Sequence, residues 1–137
     1  MVFNDEKLNF HSMPIMTSRG CPFKCTFCAS HAAHGRAMRY HSVERVIADV
    51  CRMIREFEIT GVVIQDDHFM AGKQRPYEIV EKLGELKQEM FFQNALAIYA
   101  LAPDFLKLLK ASGVNELVLP VEFFYLDYYQ YKVELKK

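Results

Sequence analysis

An excess of charge of one sign is missing from this 137-residue chain, in which 17 basic residues balance 17 acidic ones. Without a global field, nothing in the sequence would draw nucleic acid or an anionic membrane surface. Long apolar runs are missing as well. None approaches the roughly 18 residues that span a bilayer, so no membrane contact is expected. The start, Met1-Val2-Phe3-Asn4-Asp5-Glu6-Lys7, has acid where a signal peptide would be apolar, which makes a cytoplasmic location the expectation. Cysteine is scarce, and its placement argues against disulfides: of four, three fall within eight residues and Cys51 stands alone in a stretch of helical pattern. Such a cluster points to metal ligation rather than crosslinking.

What is present is ordinary for a globular domain with one core: 51% of residues are hydrophobic and 25% charged, which leaves enough apolar side chain for a single small interior. Residues 1–13 form a lead-in with no clear pattern. Pro14-Ile15-Met16-Thr17-Ser18 reads as a strand closed by Arg19-Gly20, and residues 21–41 read as irregular. Ser42 has the chemistry of a helix N-cap, with Glu44 in the first turn. Val43, Val46, Ile47, Val50, Ile54 and Phe57 then recur at three- and four-residue spacing, which predicts an amphipathic helix ending at Gly61. Val62-Val63-Ile64 is a β-branched run of the kind buried in a parallel sheet.

The alternation continues with a helix over 76–89, Pro76 suiting its first turn, a strand over 91–98, and a helix over 103–111 closed by Ser112-Gly113. A fourth strand is expected over 114–121, centred on Leu117-Val118-Leu119. Strands alternating with helices predict an α/β fold of about four parallel strands and three helices. The aromatic-rich tail, 123–137, fits neither period and reads as a helix over the sheet edge or a loose end.

The chemistry concentrates in Cys21-Pro22-Phe23-Lys24-Cys25-Thr26-Phe27-Cys28. Three thiolates on one loop can converge on an inorganic cluster. A structural 4Fe–4S cluster normally takes four cysteines and a structural zinc four ligands, so three leave one iron open to a substrate or cofactor. The rival is zinc held by the three cysteines with His31 or His34. Asp66-Asp67-His68 follows the second parallel strand; adjacent carboxylates there could bind an ammonium group, bind a divalent metal or cap the following turn. His31, His34 and His41 read as polar loop surface, and Arg36 and Arg39 as solvated loop charges.

The spacing of Cys21, Cys25 and Cys28, with Phe27 before the last of them, resembles the signature of radical S-adenosylmethionine (SAM) enzymes. Thr17 to Cys28, His34-Gly35-Arg36 through Glu44, and Gln65-Asp66-Asp67 with Phe69 are similar to the branch usually fused to a cobalamin-binding domain. The resemblance covers 14–122 and implies part of a radical SAM (βα) barrel. It implies Cys21, Cys25 and Cys28 as ligands of a 4Fe–4S cluster, Phe27 near the adenine of SAM, Asp66 and Asp67 at its amino group, and Glu122 at its ribose or amino group. It further implies reductive cleavage of SAM to a 5′-deoxyadenosyl radical, a small-molecule substrate, a reductant of the flavodoxin or ferredoxin type, and a reaction such as methyl transfer. The resemblance stops at Glu122, where Phe123-Phe124-Tyr125 replaces a Gly-rich turn. About half a barrel is expected: a truncated gene product, or a chain completed by a partner or a dimer mate. A non-catalytic module holding a cluster or zinc is the other reading.

Overall fold

The computed structural model describes residues 3–5 and 10–120, with side chains from residue 11 onward. Four strands make the main sheet, in the order β1 (Phe3–Asp5), β2 (Phe10–Ile15), β5 (Gly61–Ile64), β6 (Glu89–Phe92). Strands β2, β5 and β6 run parallel, while β1 runs antiparallel to β2 at the edge. A second, two-stranded antiparallel ladder pairs β3 (Ser18–Arg19) with β4 (Arg39–Tyr40). Between these two lies α1 (Ser30–Ala33), and the larger helices are α2 (Val43–Phe57), α3 (Arg75–Glu85) and α4 (Pro103–Ala111).

The pleat of the strands sorts their side chains. Val62 and Ile64 of β5 and Met90 and Phe92 of β6 face the helices and are buried with Val46 and Val50 of α2, Ile79, Val80 and Leu83 of α3, and Phe105 and Leu109 of α4. Each crossover helix covers the sheet face it leaves, as a parallel sheet requires. On the other face, Ser12, Val63 and Phe91 line an open cavity of about 360 Å³. Helices α3 and α4 approach closely at Gly84, where an added Cβ would come within 2.8 Å of the Ser112 side chain.

The helices over 43–57 and 103–111 fall where the periodicity places them, and Ser42 caps α2 by accepting the Arg45 N–H at 3.2 Å. The remaining boundaries move. Strand β2 begins at Phe10, because the lead-in supplies β1 and lets β2 extend back to pair with it. Helix α3 stops at Glu85, and the turn beyond it passes through Lys87 at φ 55 before β6 begins at Glu89. Gly61 is the first residue of β5; α2 ends instead on Glu58 in the left-handed region.

The expected fourth parallel strand is corrected. Residues 114–120 form no strand, and among the described residues the parallel strands number three, β2, β5 and β6. A backbone bond from Leu96 N–H to Val118 O, 3.2 Å, holds this stretch beside the segment after β6, with Val118 and Leu119 exposed. A β-branched, apolar run becomes a strand only with a ladder to join. Residues 123–137 and Glu122 lie outside the described residues.

Candidate functional site

Register builds the site. Ile15 of β2 pairs with Ile64 of β5, so Thr17 and Asp66, each two residues farther on, leave the sheet side by side. Ile64 in turn pairs with Phe92, which sets Gln65 beside Gln93 and Asp66 beside Asn94. The Gln65 Nε2 donates to Gln93 Oε1 at 2.8 Å, and Asn94 Nδ2 donates to the Gln65 carbonyl at 3.0 Å. All these residues stand at strand C-terminal ends, where parallel α/β barrels gather their ligand-binding groups.

Asp66 is 2% exposed and fully engaged. Its Oδ1 accepts the Thr17 N–H at 2.6 Å, and its Oδ2 accepts the Thr17 and Ser18 hydroxyls, both at 2.6 Å. Thr17 and Ser18 are themselves 0% and 1% exposed. Arg75, the first residue of α3, reaches over this cluster: its Nη2 donates to the Thr17 carbonyl at 2.6 Å and, with Nε, to the His41 carbonyl. Its guanidinium also lies 5.3 Å from the centre of the Tyr40 ring. Burial lowers the Arg75 guanidinium below its ordinary value, while the charges of Asp66 and Tyr40 pull it back up.

Asp67 turns toward the loop that carries the cysteines. Its Oδ2 accepts the Gly20 N–H at 3.2 Å and pairs with His34 Nδ1 at 2.6 Å. A carboxylate oxygen can only accept here, so the imidazole presents Nδ1–H. Just beside this contact the Cys21 N–H donates to the Gly35 carbonyl at 3.2 Å. Gly20 sits at φ 98, and a Cβ on it would lie 2.4 Å from the Ala37 carbonyl oxygen, so the chain closes on itself here only through glycine.

The cysteines ride on the loop so closed. Cys25 is exposed, Cys21 and Cys28 are half-buried, and none is in a disulfide. The Cys28 thiol contacts Ser30 Oγ at 3.3 Å, and His31 Nδ1 lies 3.0 Å from the Cys28 carbonyl. Phe23, between the first two cysteines, sets its ring edge-on against His68 and Tyr99, at 5.2 and 5.7 Å. Its carbonyl accepts from Arg36. The Tyr99 hydroxyl lies 3.1 Å from His68 Nε2. Burial lowers the His68 imidazole below its ordinary value; burial, and then the charge of nearby Cys21, raises the Tyr99 hydroxyl.

The donor set suits a cluster. Three thiols free of disulfides share one loop, that loop is fixed at its neck, and Cys25 is exposed to solvent. The side chains are not drawn together into one sphere: among the described residues, no group of three or more His, Cys, Asp or Glu side chains is gathered tightly enough to hold a metal ion. Phe27, in the same loop, is 58% exposed. Among the described residues no helix is long and apolar enough to cross a membrane.

Four residues of this site show no sign in the sequence of the contacts they make here. Thr17 and Ser18 look like the end of a strand, His34 like loop polarity, and Tyr99 like part of an apolar stretch. The legible signal is positional: hydroxyls two and three residues past one parallel strand face a carboxylate two residues past the next.

The Radical SAM superfamily profile matches residues 15–133. An uncharacterized methyltransferase of Pyrococcus horikoshii is 31% identical over 108 residues, 79% of this chain and 24% of that protein. The hopanoid C-3 methylase of Methylococcus capsulatus is 31% identical over 107 residues, 77% of this chain and 20% of that one. Among solved structures, TsrM of Kitasatospora setae, a radical SAM methyltransferase with tryptophan and a SAM analog bound, superposes with a TM-score of 0.73 at 13% identity. That likeness covers 85% of this chain and 23% of TsrM, and it concerns the fold alone. The chain thus spans only a fifth to a quarter of these proteins, 20–24% of the two sequence relatives.

Proposed function

The chain belongs to the radical SAM superfamily, and from that premise we propose that Cys21, Cys25 and Cys28 bind a 4Fe–4S cluster whose open iron takes SAM. The observation that carries this is the loop itself: three thiols free of disulfides, closed at its neck over the C-terminal ends of parallel strands. When bound, such a cluster supplies the single electron that cleaves SAM to methionine and a 5′-deoxyadenosyl radical, drawn from a reductant of the flavodoxin or ferredoxin type.

The chain's own residues would orient the ligand. Phe27, largely exposed beside Cys28, offers a ring face for the adenine. Gln93 and Asn94 place amide groups at the strand ends within reach of the same mouth. The cavity on the inner sheet face, lined by Ser12, Val63, Phe91, Gln93 and Glu116, would receive part of a small-molecule substrate. Methyl transfer is the reaction class favoured by the relatives, whose names are those of methyltransferases and methylases. Glu122 and a completing partner chain or second copy remain part of this proposal.

Anaerobic reconstitution with iron and sulfide tests the reading. The expected result is a brown protein with about four irons per chain, methionine and 5′-deoxyadenosine from SAM under strong reductant, and neither from the Cys25→Ala variant. A colourless chain that retains only zinc overturns it.

A further inference from the structure

Asp67 stands where an ammonium contact was expected, yet its geometry serves another purpose. The carboxylate is 8% exposed, and a single oxygen, Oδ2, holds both sides of the cysteine loop: Gly20 just before Cys21, and His34 six residues after Cys28. Other bonds help at this neck: Arg36 reaches across the loop to the Phe23 carbonyl, and the His41 N–H and Arg75 tie Thr17 to His41 below it. The ladder beneath it has two residue pairs, Ser18 with Tyr40 and Arg19 with Arg39, and the neck itself has the Cys21–Gly35 backbone bond. Loop closure costs conformational entropy, and the bonds at the ends must repay it. The His34–Asp67 contact, at 2.6 Å between an imidazole N–H and a carboxylate, is short and charge-assisted.

We infer that Asp67 and His34 form a clasp that holds the cysteine loop shut at its neck, both acting as positioning residues for the three thiols and not as contacts to the SAM ammonium. A loop held at the neck brings Cys21 and Cys28 to the same end of the structure before any metal arrives. The clasp leaves the thiols themselves untouched, and it holds in the metal-free chain. For its effect on cluster loading the inference rests on the cluster reading above; for the loop itself it does not.

Two readouts separate these levels. In the metal-free chain, amide hydrogen exchange at Gly20 and Cys21 reports whether the neck is closed. His34→Ala is expected to speed both by about tenfold, equivalent to about 1.4 kcal/mol, just under what one hydrogen bond to a charged group contributes. His34→Asn, whose side-chain N–H falls close to the Nδ1 position, is expected to restore most of the protection. After anaerobic reconstitution, His34→Ala is expected to lose its iron to a chelator several-fold faster than wild type, while the fraction still loaded binds SAM with unchanged affinity. His34 is 30% exposed on a loop, so the substitution leaves the core intact, and far-UV circular dichroism checks this. Unchanged exchange in His34→Ala overturns the clasp. So does an Asp67→Asn variant that keeps wild-type exchange and iron but fails to bind SAM, since that assigns Asp67 to the ligand. Accelerated exchange in a chain whose wild type takes up no iron supports the clasp and defeats the cluster reading instead.

Discussion

Replacing Asp66 by asparagine separates a structural carboxylate from one reserved for a ligand. In the structure three donors converge on it at 2.6 Å: the Thr17 N–H on Oδ1, and the Thr17 and Ser18 hydroxyls on Oδ2. Asparagine keeps the shape but exchanges one acceptor oxygen for an NH2 group, so either the backbone bond or the hydroxyl pair loses its acceptor. A hydrogen bond to a charged group contributes about 1.5–3 kcal/mol. With one to two such bonds lost, and the hydroxyls free to rotate toward new roles, the expected destabilisation is about 2–4 kcal/mol. For a denaturant sensitivity of about 2 kcal/mol per molar urea, the unfolding midpoint falls by about 1–2 M. The assay is urea unfolding of the metal-free chain followed by circular dichroism, with Thr17→Val as the partner in a double-mutant cycle. An unchanged or higher midpoint refutes the reasoning. A buried carboxylate idling in wait for a ligand contributes nothing to the empty fold, and its removal would leave stability level or raise it.

Two further outcomes follow from neighbouring geometry. Gly20→Ala forces a side chain into φ 98 and places its Cβ 2.4 Å from the Ala37 oxygen; backbone strain of about 1–3 kcal/mol joins overpacking of about 1–3 kcal/mol, and both the unfolding midpoint and iron uptake should drop. For His68, burial lowers the folded-state value below the 6.5 of a free imidazole, so the unfolded chain binds the extra proton first. Unfolding free energy should therefore rise with pH across the window ending near 6.5 and level off above it. His68→Asn should flatten that rise in unfolding curves taken across the same range.

Local signals were legible where they act locally. Ser42 and the spacing of Val43, Val46 and Val50 define α2 to the residue at its start, because the cap and the apolar stripe belong to the helix itself. The cysteine loop was legible as a loop because three cysteines in eight residues stand out in any sequence. Asp66 and Asp67 were visible as residues but not as partners: their contacts lie 33 to 49 positions earlier, at Thr17, Gly20 and His34, and exist only once the β2–β5 register is set. Leu117-Val118-Leu119 misled for the converse reason. Its composition suits a strand, but strand formation depends on a paired neighbour, and here one backbone bond to Leu96 and the packing of Leu117 against the core hold it without a ladder.

The distance along the chain between the thiols and their anchors imposes an order in time. A chain growing from its N-terminus exposes Cys21, Cys25 and Cys28 well before Asp66 and Asp67 are made, the Thr17–Asp66 contact spanning 49 residues. Until β5 docks beside β2, the neck at Gly20 and Gly35 lacks its side-chain fastening, and the loop is a tether bearing three free thiols. Closure of the loop therefore waits on the completion of the second parallel strand.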